Sequence, residues 1–362
     1  MQKVTFQKWQ VKKLVTWFVL ILIIGGSYLC YSTWQLYNDK AMENTYWNNE
    51  LTDTPEEQER IEKLSENATK VKVGTYVESL KEINMKSSYF RIVGKVWFSW
   101  EGDPDLDMVN NFHVYNGTMN SKVVEKDITE GNMHYQLCKI DVSVFKNFWT
   151  KRFPLESHQL RFYIEPSQVI DYVVFVEDEG HSTVNPSFSI AGYNLIRYDH
   201  GVHTNEYNTT YGEPGVEKGA ITSEFLTQIE LNRDSLGTYT KCFIALFGTA
   251  LWVFITMFLC TYHRVDPLSM IPAALFGAVS NIMVGANLLP DALEIGLLEY
   301  VNVWGILTIL GGALVVININ RIRTRYNDNK FAALFGRIIT FELVFIVLLG
   351  HVLMPMAAYM WQ

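Results

Sequence analysis

The stretch that decides the fold runs from Asp266 to Asp291 and reads DPLSMIPAALFGAVSNIMVGANLLPD. It holds 24 uncharged residues between two aspartates. At about 1.5 Å of rise per residue, a helix of that length covers roughly 36 Å and crosses the hydrocarbon core of a bilayer. Small residues recur along it and allow neighbouring helices to approach closely. They are Ala273, Ala274, Gly277, Ala278, Ser280, Gly285 and Ala286.

Three polar or helix-bending residues refine this expectation. Asn281 and Asn287 are costly against lipid, so they should face protein or water. Pro272 lacks a backbone donor, which predicts a bend in the helix. Two interpretations of the stretch stay open at this point. One is a buried helix of a transporter-like bundle, and the other is a pore-lining helix repeated around an axis.

The composition divides the chain between membrane and water. Of its 362 residues 49% are apolar, yet the mean hydropathy is only +0.05, which predicts a large water-soluble domain beside the apolar segments. The net charge of −8 argues against nucleic-acid binding. Cys138 is the one cysteine outside the predicted membrane helices. We therefore expect no disulfide in the soluble region, no metal site and no cofactor.

Five stretches are apolar and long enough to span a membrane. They are residues 14–36, 242–262, 267–290, 300–320 and 331–361. We expect the first to be an uncleaved anchor, because no small-x-small site closes its apolar run. Basic residues precede the first span and also lie in the 321–330 loop. The positive-inside rule therefore predicts a multi-pass protein of the plasma (inner) membrane. Its amino terminus and the 321–330 loop are cytoplasmic, and its large domain and carboxyl terminus are outside.

Between the first two spans the apolar period changes to two, which is typical of strands. One face of each strand is apolar: Phe90, Ile92, Val96, Phe98 and Trp100; Leu160, Phe162 and Ile164; Ile221, Phe225, Ile229 and Leu231. About eight to ten short strands separated by turn signals predict an antiparallel β-sandwich. The fold class is thus an α+β membrane protein. Its predicted parts are a cytoplasmic tail and anchor helix (1–37), an acidic linker with a short helix at Pro55–Leu64 (38–69), an extracellular sandwich (70–235) and a four-helix transmembrane domain (236–362).

Four motifs, in order along residues 70–361, resemble pentameric ligand-gated ion channels, and the missing disulfide resembles their prokaryotic branch. Phe153-Pro154-Leu155-Glu156 resembles the F-P-x-D loop, with Glu in place of Asp. The others are Tyr89–Trp100, which is similar to the second strand, Leu231-Asn232-Arg233, which is similar to the pre-membrane arginine, and Asn281–Pro290, which is similar to the outer end of the pore helix. The chain departs from the family in its extra amino-terminal helix, in a second helix without proline and in a pore helix without glutamates.

The resemblance implies a homopentamer whose pore is lined by one face of this helix. The implied lining residues are Asp266, Leu268, Pro272, Leu275, Val279 and Ile282. Leu275 and Val279 would form a dry constriction that gates by dewetting. The polarity of the helix alone favours a different face, which carries Ser269, Ser280 and Asn287. Acidic rings of Asp266 inside, and of Asp291 and Glu294 outside, would favour cations, although Arg264 opposes this.

The resemblance also implies where an effector binds and how it acts. Pro154 and Glu156 would couple the outer domain to the membrane helices, and Glu156 is expected to pair with Arg233. A small-molecule or proton effector would bind between subunits by contact with aromatic rings. The candidate ring residues are Trp97, Trp100, Tyr172, Tyr207 and Tyr211. Trp100 lies on the apolar strand face, so a place in the sandwich core competes with the binding role.

Other ionisable residues have ordinary interpretations. His181, His200 and His203 could sense protons or bind a divalent ion, but solvated loop histidines are the usual case. Arg337, Glu342 and His351 in the last span should face protein, and a salt bridge among or beside them is expected. No motif indicates catalysis. The function implied is therefore passive conduction of inorganic ions through a lipid-embedded channel. Two alternatives remain: a non-conducting membrane receptor or scaffold, and an extracytoplasmic membrane enzyme.

Overall fold

A computed structural model describes residues 6–49, 55–188, 190, 192–210, 212, 219–233, 235–288 and 295–359. The chain divides into two compact units. The helical unit comprises the chain up to Glu43, Thr150–Glu156, and the chain from Asp234 onward. The sheet unit comprises Asn44–Trp149 and Ser157–Arg233. The sequence pattern that separated apolar spans from period-two strands therefore corresponds to the main division of the structure.

Two sheets make up most of the sheet unit. Their strands are β1 (Thr69–Asn84), β2 (Tyr89–Glu101), β3 (Phe112–Tyr115), β4 (Gly117–Glu130), β5 (Met133–Phe145), β6 (Ser157–Pro166), β7 (Val173–Glu177), β8 (Thr183–Val184), β9 (Tyr193–Glu206) and β10 (Ile221–Arg233). Sheet A has the order β4-β5-β2-β1-β7, with β8 also paired to β1. Sheet B has the order β3-β6-β10-β9. All pairs are antiparallel except those of β7 and β8 with β1, which are parallel.

Apolar side chains from both sheets share one hydrophobic core. Phe98 of β2 is fully buried, with its ring centroid 5.1 Å from that of Phe112 and 6.0 Å from that of Phe175. Phe162 of β6 and Phe225 of β10 enter the same core from sheet B. The predicted apolar face residues of these strands are buried in this core, except Ile221, which is half-buried.

Five long helices accompany the sheets. They are α1 (Lys8–Asn49), α3 (Ser235–Phe258), α4 (Ile271–Leu288), α5 (Leu297–Arg325) and α6 (Asn329–Tyr359), with a short α2 (Pro55–Leu64) after α1. α1, α5, α6 and the segment Gly237–His263 are long and apolar enough to cross a membrane. The chain is therefore a membrane protein. The fifth predicted span contains a shorter apolar helical segment, Leu268–Met283.

α1 is longer than the sequence predicted. The expected helix ended near Leu36, and the polar residues after it were interpreted as a linker. The helix instead continues to Asn49, and Asp39 and Glu43 on its continuation are buried against Arg152. Acidic residues therefore extend the helix because they have a buried cationic partner. The predicted short helix Pro55–Leu64 is confirmed as α2.

Two further expectations about the helices are wrong. Pro272 does not bend a helix interior, because α4 begins at Ile271. Proline fits the first turn, where its missing N–H has no intrahelical acceptor. In α6, no ion pair among the described residues joins Arg337, Glu342 or His351 to an opposite charge. The Arg337 guanidinium lies 5.2 Å from the centroid of the Tyr262 ring, so a cation–π contact replaces the expected salt bridge.

Truncation of Phe98 tests the shared core. We expect Phe98→Ala to lower the free energy of opening of the sheet unit by about 3–5 kcal/mol, because it leaves a cavity among fully buried rings. Cys138 is fully buried in the same core, so its thiol-labelling rate reports that opening. The rate should rise at least about a hundredfold, since about 1.4 kcal/mol corresponds to a factor of ten. Val123→Ala, an exposed position on β4, should leave it unchanged.

Candidate functional site

One face of α4 packs against the rest of the helical unit. Ala274 and Ala278 are almost completely buried. Thr249 of α3 donates a hydrogen bond from its Oγ1 to the Ala274 carbonyl oxygen at 3.4 Å. A Cβ on Gly277 would lie only 2.2 Å from the same Thr249 Oγ1. The small residues of α4 therefore permit close approach to α3, as the sequence predicted.

Asn281 lies on the same buried face and is 1% exposed. Its Nδ2 donates a hydrogen bond to Oδ1 of Asn302 in α5 at 2.8 Å. The expectation that Asn281 faces protein is confirmed. Asn287 lies outside the residues whose side chains the structure describes. A hydrogen-bonded amide pair inside a membrane helix bundle holds the two helices in one relative rotation, because either amide facing lipid would lose its partner.

The opposite face of α4 is exposed in the single chain. All six implied lining residues lie on this side: Asp266, Leu268, Pro272, Leu275, Val279 and Ile282. Leu268 lies in a 3-10 turn (Leu268–Met270) just before α4, and Asp266 precedes that turn. The Asp266 Oδ1 accepts a hydrogen bond from the Leu268 backbone N–H at 3.3 Å. The stripe is therefore continuous from the loop into the helix and carries a carboxylate at its start.

The exposed face is wider than the implied stripe. Phe276, at 75% exposure, and Met283, at 62%, are the most exposed large apolar side chains in the part of α4 up to Met283. Ser269 and Ser280, which mark the alternative polar face, are also exposed. The Ser280 hydroxyl donates to the Phe276 carbonyl oxygen at 2.8 Å, so it is satisfied within its own helix. The described residues of both candidate faces are therefore exposed in the single chain, where a partner outside the chain can contact them.

The predicted coupling residues fall in both units. Pro154 and Glu156 belong to the helical unit, where both are buried. The Phe153–Pro154 peptide bond is cis. Arg233 belongs to the sheet unit and ends β10. Its guanidinium lies 4.6 Å from the centroid of the Tyr193 ring and donates a hydrogen bond to that residue's hydroxyl. The pairing of Glu156 with Arg233 stays a prediction.

The described aromatic candidates do not form one cluster within a chain. Trp97 donates from Nε1 to Asp178 Oδ2 at 2.8 Å. Trp100 is buried in the core and stacks on His134 at 5.2 Å between ring centroids. Tyr172, before β7, is 70% exposed. Tyr207 follows β9 in sheet B, whereas the two tryptophans lie on β2 of sheet A. Tyr211 lies outside the described residues.

Sheet B carries a buried pair of carboxyl groups that sequence reasoning missed. Glu165 of β6 and Glu224 of β10 are hydrogen-bonded to each other. Three neutral donors complete the site. They are Tyr207, whose hydroxyl lies 2.7 Å from Glu165 Oε2, Asn205, whose Nδ2 lies 2.9 Å from Glu165 Oε1, and Thr222, whose Oγ1 lies 3.1 Å from Glu165 Oε1. His113 Nε2 of β3 lies 2.9 Å from Glu165 Oε2.

The hydrogen bonds separate the pKa values of this pair. Burial raises the pKa of Glu224, and the adjacent Glu165 carboxylate raises it further. Burial alone would raise the pKa of Glu165 as well, but the hydrogen bonds from His113, Glu224, Asn205 and Tyr207 outweigh it and lower that pKa. Two carboxyl groups in contact cannot both be ionised without strong repulsion. The pair therefore holds one proton, on Glu224, at neutral pH.

The carboxyl-terminal end of α1 lies on the same outer face of sheet B. The Arg161 guanidinium is 4.2 Å from the centroid of the Tyr46 ring, and its Nη2 donates to the Tyr46 carbonyl oxygen at 3.1 Å. The Arg197 guanidinium is 4.1 Å from the Trp47 ring centroid, and its Nε donates to Glu230 Oε2 at 2.6 Å. These cation–π contacts cover the outer face of sheet B. The alternation of apolar and polar residues along its strands predicts that this face is exposed to water.

The histidine candidates are separately paired. His200 Nε2 lies 2.9 Å from Glu177 Oε1, and His181 Nδ1 lies 3.3 Å from Asp178 Oδ1. His203 pairs with Glu224 in the register of β9 and β10. Across the described ranges, no group of three or more acidic, histidine or cysteine side chains has the arrangement of a metal site.

Comparison with known proteins adds no family to these observations. The sequence matches no protein-family model and no curated protein. What the channel-like motifs imply about assembly, effector and conduction therefore enters below as a proposal.

Substitution of Glu224 tests the shared proton. A raised pKa means that the folded chain keeps a proton that the unfolded chain loses above about pH 4.3. The stabilisation it contributes is present below that pH and is lost as the pH rises toward the folded pKa. Glu224→Gln keeps a donor for Glu165 but cannot ionise. Cys138 labelling should accelerate between about pH 5 and pH 8 in the wild type, after correction for intrinsic thiol ionisation, and less so in Glu224→Gln.

Exposed Glu66 provides the matched control. Glu66→Gln should retain the wild-type pH dependence. Equal pH dependence in the wild type and in Glu224→Gln would contradict the assignment of the shared proton to this pair.

Proposed function

We propose that the chain is one subunit of a homopentameric ligand-gated ion channel in a plasma membrane. In this proposal the two sheets form an extracellular β-sandwich, the amino terminus is cytoplasmic, and α4 of each subunit faces a central path for inorganic ions. Conduction is passive and favours cations. The observation that carries the proposal is the two-sidedness of α4: Ala274, Ala278 and Asn281 are buried, whereas Leu275 and Val279 are exposed.

The exposed side of α4 needs an occupant that tolerates both apolar and polar groups. Asp266, Ser269 and Ser280 lie on it together with Leu275 and Val279. A carboxylate such as that of Asp266 is strongly disfavoured in hydrocarbon but is stable at the mouth of a water-filled path. Copies of α4 around an axis would place the leucine and valine in apolar rings and the aspartates in a ring at one end.

The apolar rings supply the gate in this proposal. A narrow pore lined by Leu275 and Val279 excludes water when it is closed, so ions that need a hydration shell cannot pass. A small outward movement or rotation of α4 lets water enter. Gating then needs no chemical step, and no cofactor takes part.

The effector site is proposed at the contact between subunits. Trp97 and Tyr207 lie on different sheets of one chain, so a neighbouring copy is the simplest way to bring such rings together around one ligand. Trp100 is buried in the core and stays a weaker candidate than the exposed Tyr172. The proposed relay runs from this site to Pro154, Glu156 and Arg233 and then to the helices. A small molecule or a proton is the proposed effector.

One observation favours a non-conducting receptor or scaffold as the second candidate. The described part of the exposed face of α4 carries many large apolar side chains, of which Phe276 and Met283 are the most exposed. Large apolar residues would fill a narrow axis or face lipid, and neither arrangement conducts. An extracytoplasmic enzyme is less favoured. The carboxyl pair has the chemistry of an acid–base site, but the Glu165 side chain has no exposed surface that a substrate could contact.

Recording from purified protein in planar bilayers tests conduction directly. We expect unitary currents, and we expect Leu275→Ser to raise the spontaneous open probability about tenfold, which corresponds to about 1.4 kcal/mol. The reason is that a hydroxyl ring keeps the constriction wet and so removes part of the cost of opening. Imaging of the same preparation should count five subunits.

The matched control is Leu251→Ser, an exposed leucine on α3. It should leave open probability and unitary conductance unchanged. Currents that respond to Leu251→Ser and ignore Leu275→Ser would assign the pore to another helix. A complete absence of unitary currents in wild-type and Leu275→Ser protein would favour the non-conducting alternative.

A further inference from the structure

α1 packs along α5 and α6 at its start and in its middle. At its start, the Trp9 ring stacks on Tyr326 with 4.5 Å between centroids, and Gln10 Nε2 donates to Asp328 Oδ2 at 2.7 Å. In its middle, the Tyr28 ring stacks on Trp304 at 5.5 Å. A Cβ on Gly25 would lie 2.7 Å from Ile346 Cγ2. These contacts join α1 to α5 and α6 at two places along its length.

Farther along, α1 holds the segment Thr150–Glu156, here called the coupling loop. Asp39 and Glu43 are four residues apart and thus lie on one helix face. Arg152 of the coupling loop donates from Nε to Asp39 Oδ2 at 3.1 Å and from Nη2 to Glu43 Oε2. The side chains of all three are at most 2% exposed. One guanidinium thus bridges two carboxylates in a site from which water is excluded.

Two lysines also lie near the carboxylates of this cluster. Lys40 Nζ lies 3.2 Å from Glu43 Oε2, and Lys151 Nζ lies 3.9 Å from Asp39 Oδ1. A buried ion pair is costly to break by removal of one partner, because the other charge is left without compensation. The cluster therefore fixes the position of the coupling loop against α1 far more firmly than a surface ion pair would.

The coupling loop also contacts the start of α5. The Leu297 backbone N–H donates to the Lys151 carbonyl oxygen at 2.6 Å. A Cβ on Gly296 would lie 2.3 Å from that same oxygen, so the absence of a side chain at Gly296 permits this approach. Displacement of Lys151 would therefore displace the backbone where α5 begins, next to the connection from α4.

We propose that α1 is a positioning helix that, through Asp39 and Glu43, sets where Arg152 holds the coupling loop against the start of α5. The helix, absent from the pattern of the channels that the motifs resemble, then acts as a fixed reference for the moving parts. The consequence of this positioning role for gating rests on the proposed function. The mechanical link itself, from α1 through Arg152 and Lys151 to Leu297, does not.

Hydrogen exchange on the full chain in lipid nanodiscs tests the link without any current. Asp39→Asn and Glu43→Gln keep the shape of each side chain and remove its charge. We expect exchange to rise about tenfold both in the coupling loop and at the start of α5, with Asp39→Glu restoring protection. Met42→Gln, exposed on the same turn of α1, is the matched control and should change neither.

A second variant approaches the link from the other side and leaves the buried charges intact. Gly296→Ala should push Lys151 away and raise exchange in the coupling loop and around Asp39 of α1. A peptide covering β2 should keep its protection in every variant, which separates a local effect from unfolding. Increased exchange confined to the substituted element, with the start of α5 unchanged in Asp39→Asn and Glu43→Gln, would overturn the proposal.

Recording in bilayers then measures the consequence for gating. Asp39→Asn should change the open probability about tenfold and leave unitary conductance unchanged, because a positioning residue does not touch the ion path. An equal change in unitary conductance would count against a positioning role. Absence of currents in the wild type would overturn the proposed channel function, whereas the exchange result would still decide whether α1 holds the coupling loop.

Discussion

The hydrogen bond between Asn281 of α4 and Asn302 of α5 is the constraint on which the candidate pore depends. A side-chain amide inside a membrane bundle must find a partner, and here the partner lies on a neighbouring helix. That requirement fixes the rotation of α4, with Ala274 and Ala278 on the buried side. The face that carries Leu275 then has to point away from the bundle. A rotation of half a turn would bury the leucine and separate the Asn281 amide from its Asn302 partner.

Much of this arrangement could be predicted from the sequence because the relevant patterns are local. Strand alternation identified Phe98 and Phe162 as core residues, since a sheet face repeats every second residue. Pro55 marked the start of α2, since proline suits the first helical turn. For Pro272 the same property predicts a bend, yet this proline also lies in a first helical turn. A local pattern shows that proline and a helix coincide, but the helix start depends on the 3-10 turn that precedes it.

Burial of acidic residues could not be predicted, because it depends on partners distant in the sequence. Asp39 and Glu43 looked like part of a solvated linker, yet their partner Arg152 lies more than a hundred residues away. Glu224 alternates with core residues and so belonged to the expected wet face of its strand. That face is covered in the structure, by Tyr46 and Trp47 at one place and by Tyr207 at another. An apolar pattern with a period of two identifies the two faces of a strand. It does not show what covers the outer face.

The two buried acidic clusters are compensated in different ways, and this difference separates their roles. In the helical unit the carboxylates of Asp39 and Glu43 face a guanidinium, which stays charged at every pH that the protein meets. The positive partner of that contact therefore keeps its charge, as a reference position requires. In the sheet unit, Glu165 is compensated by a proton on Glu224 and by neutral donors. A proton leaves as pH rises, so this second cluster changes charge with pH, and a response of sheet B to pH would originate there.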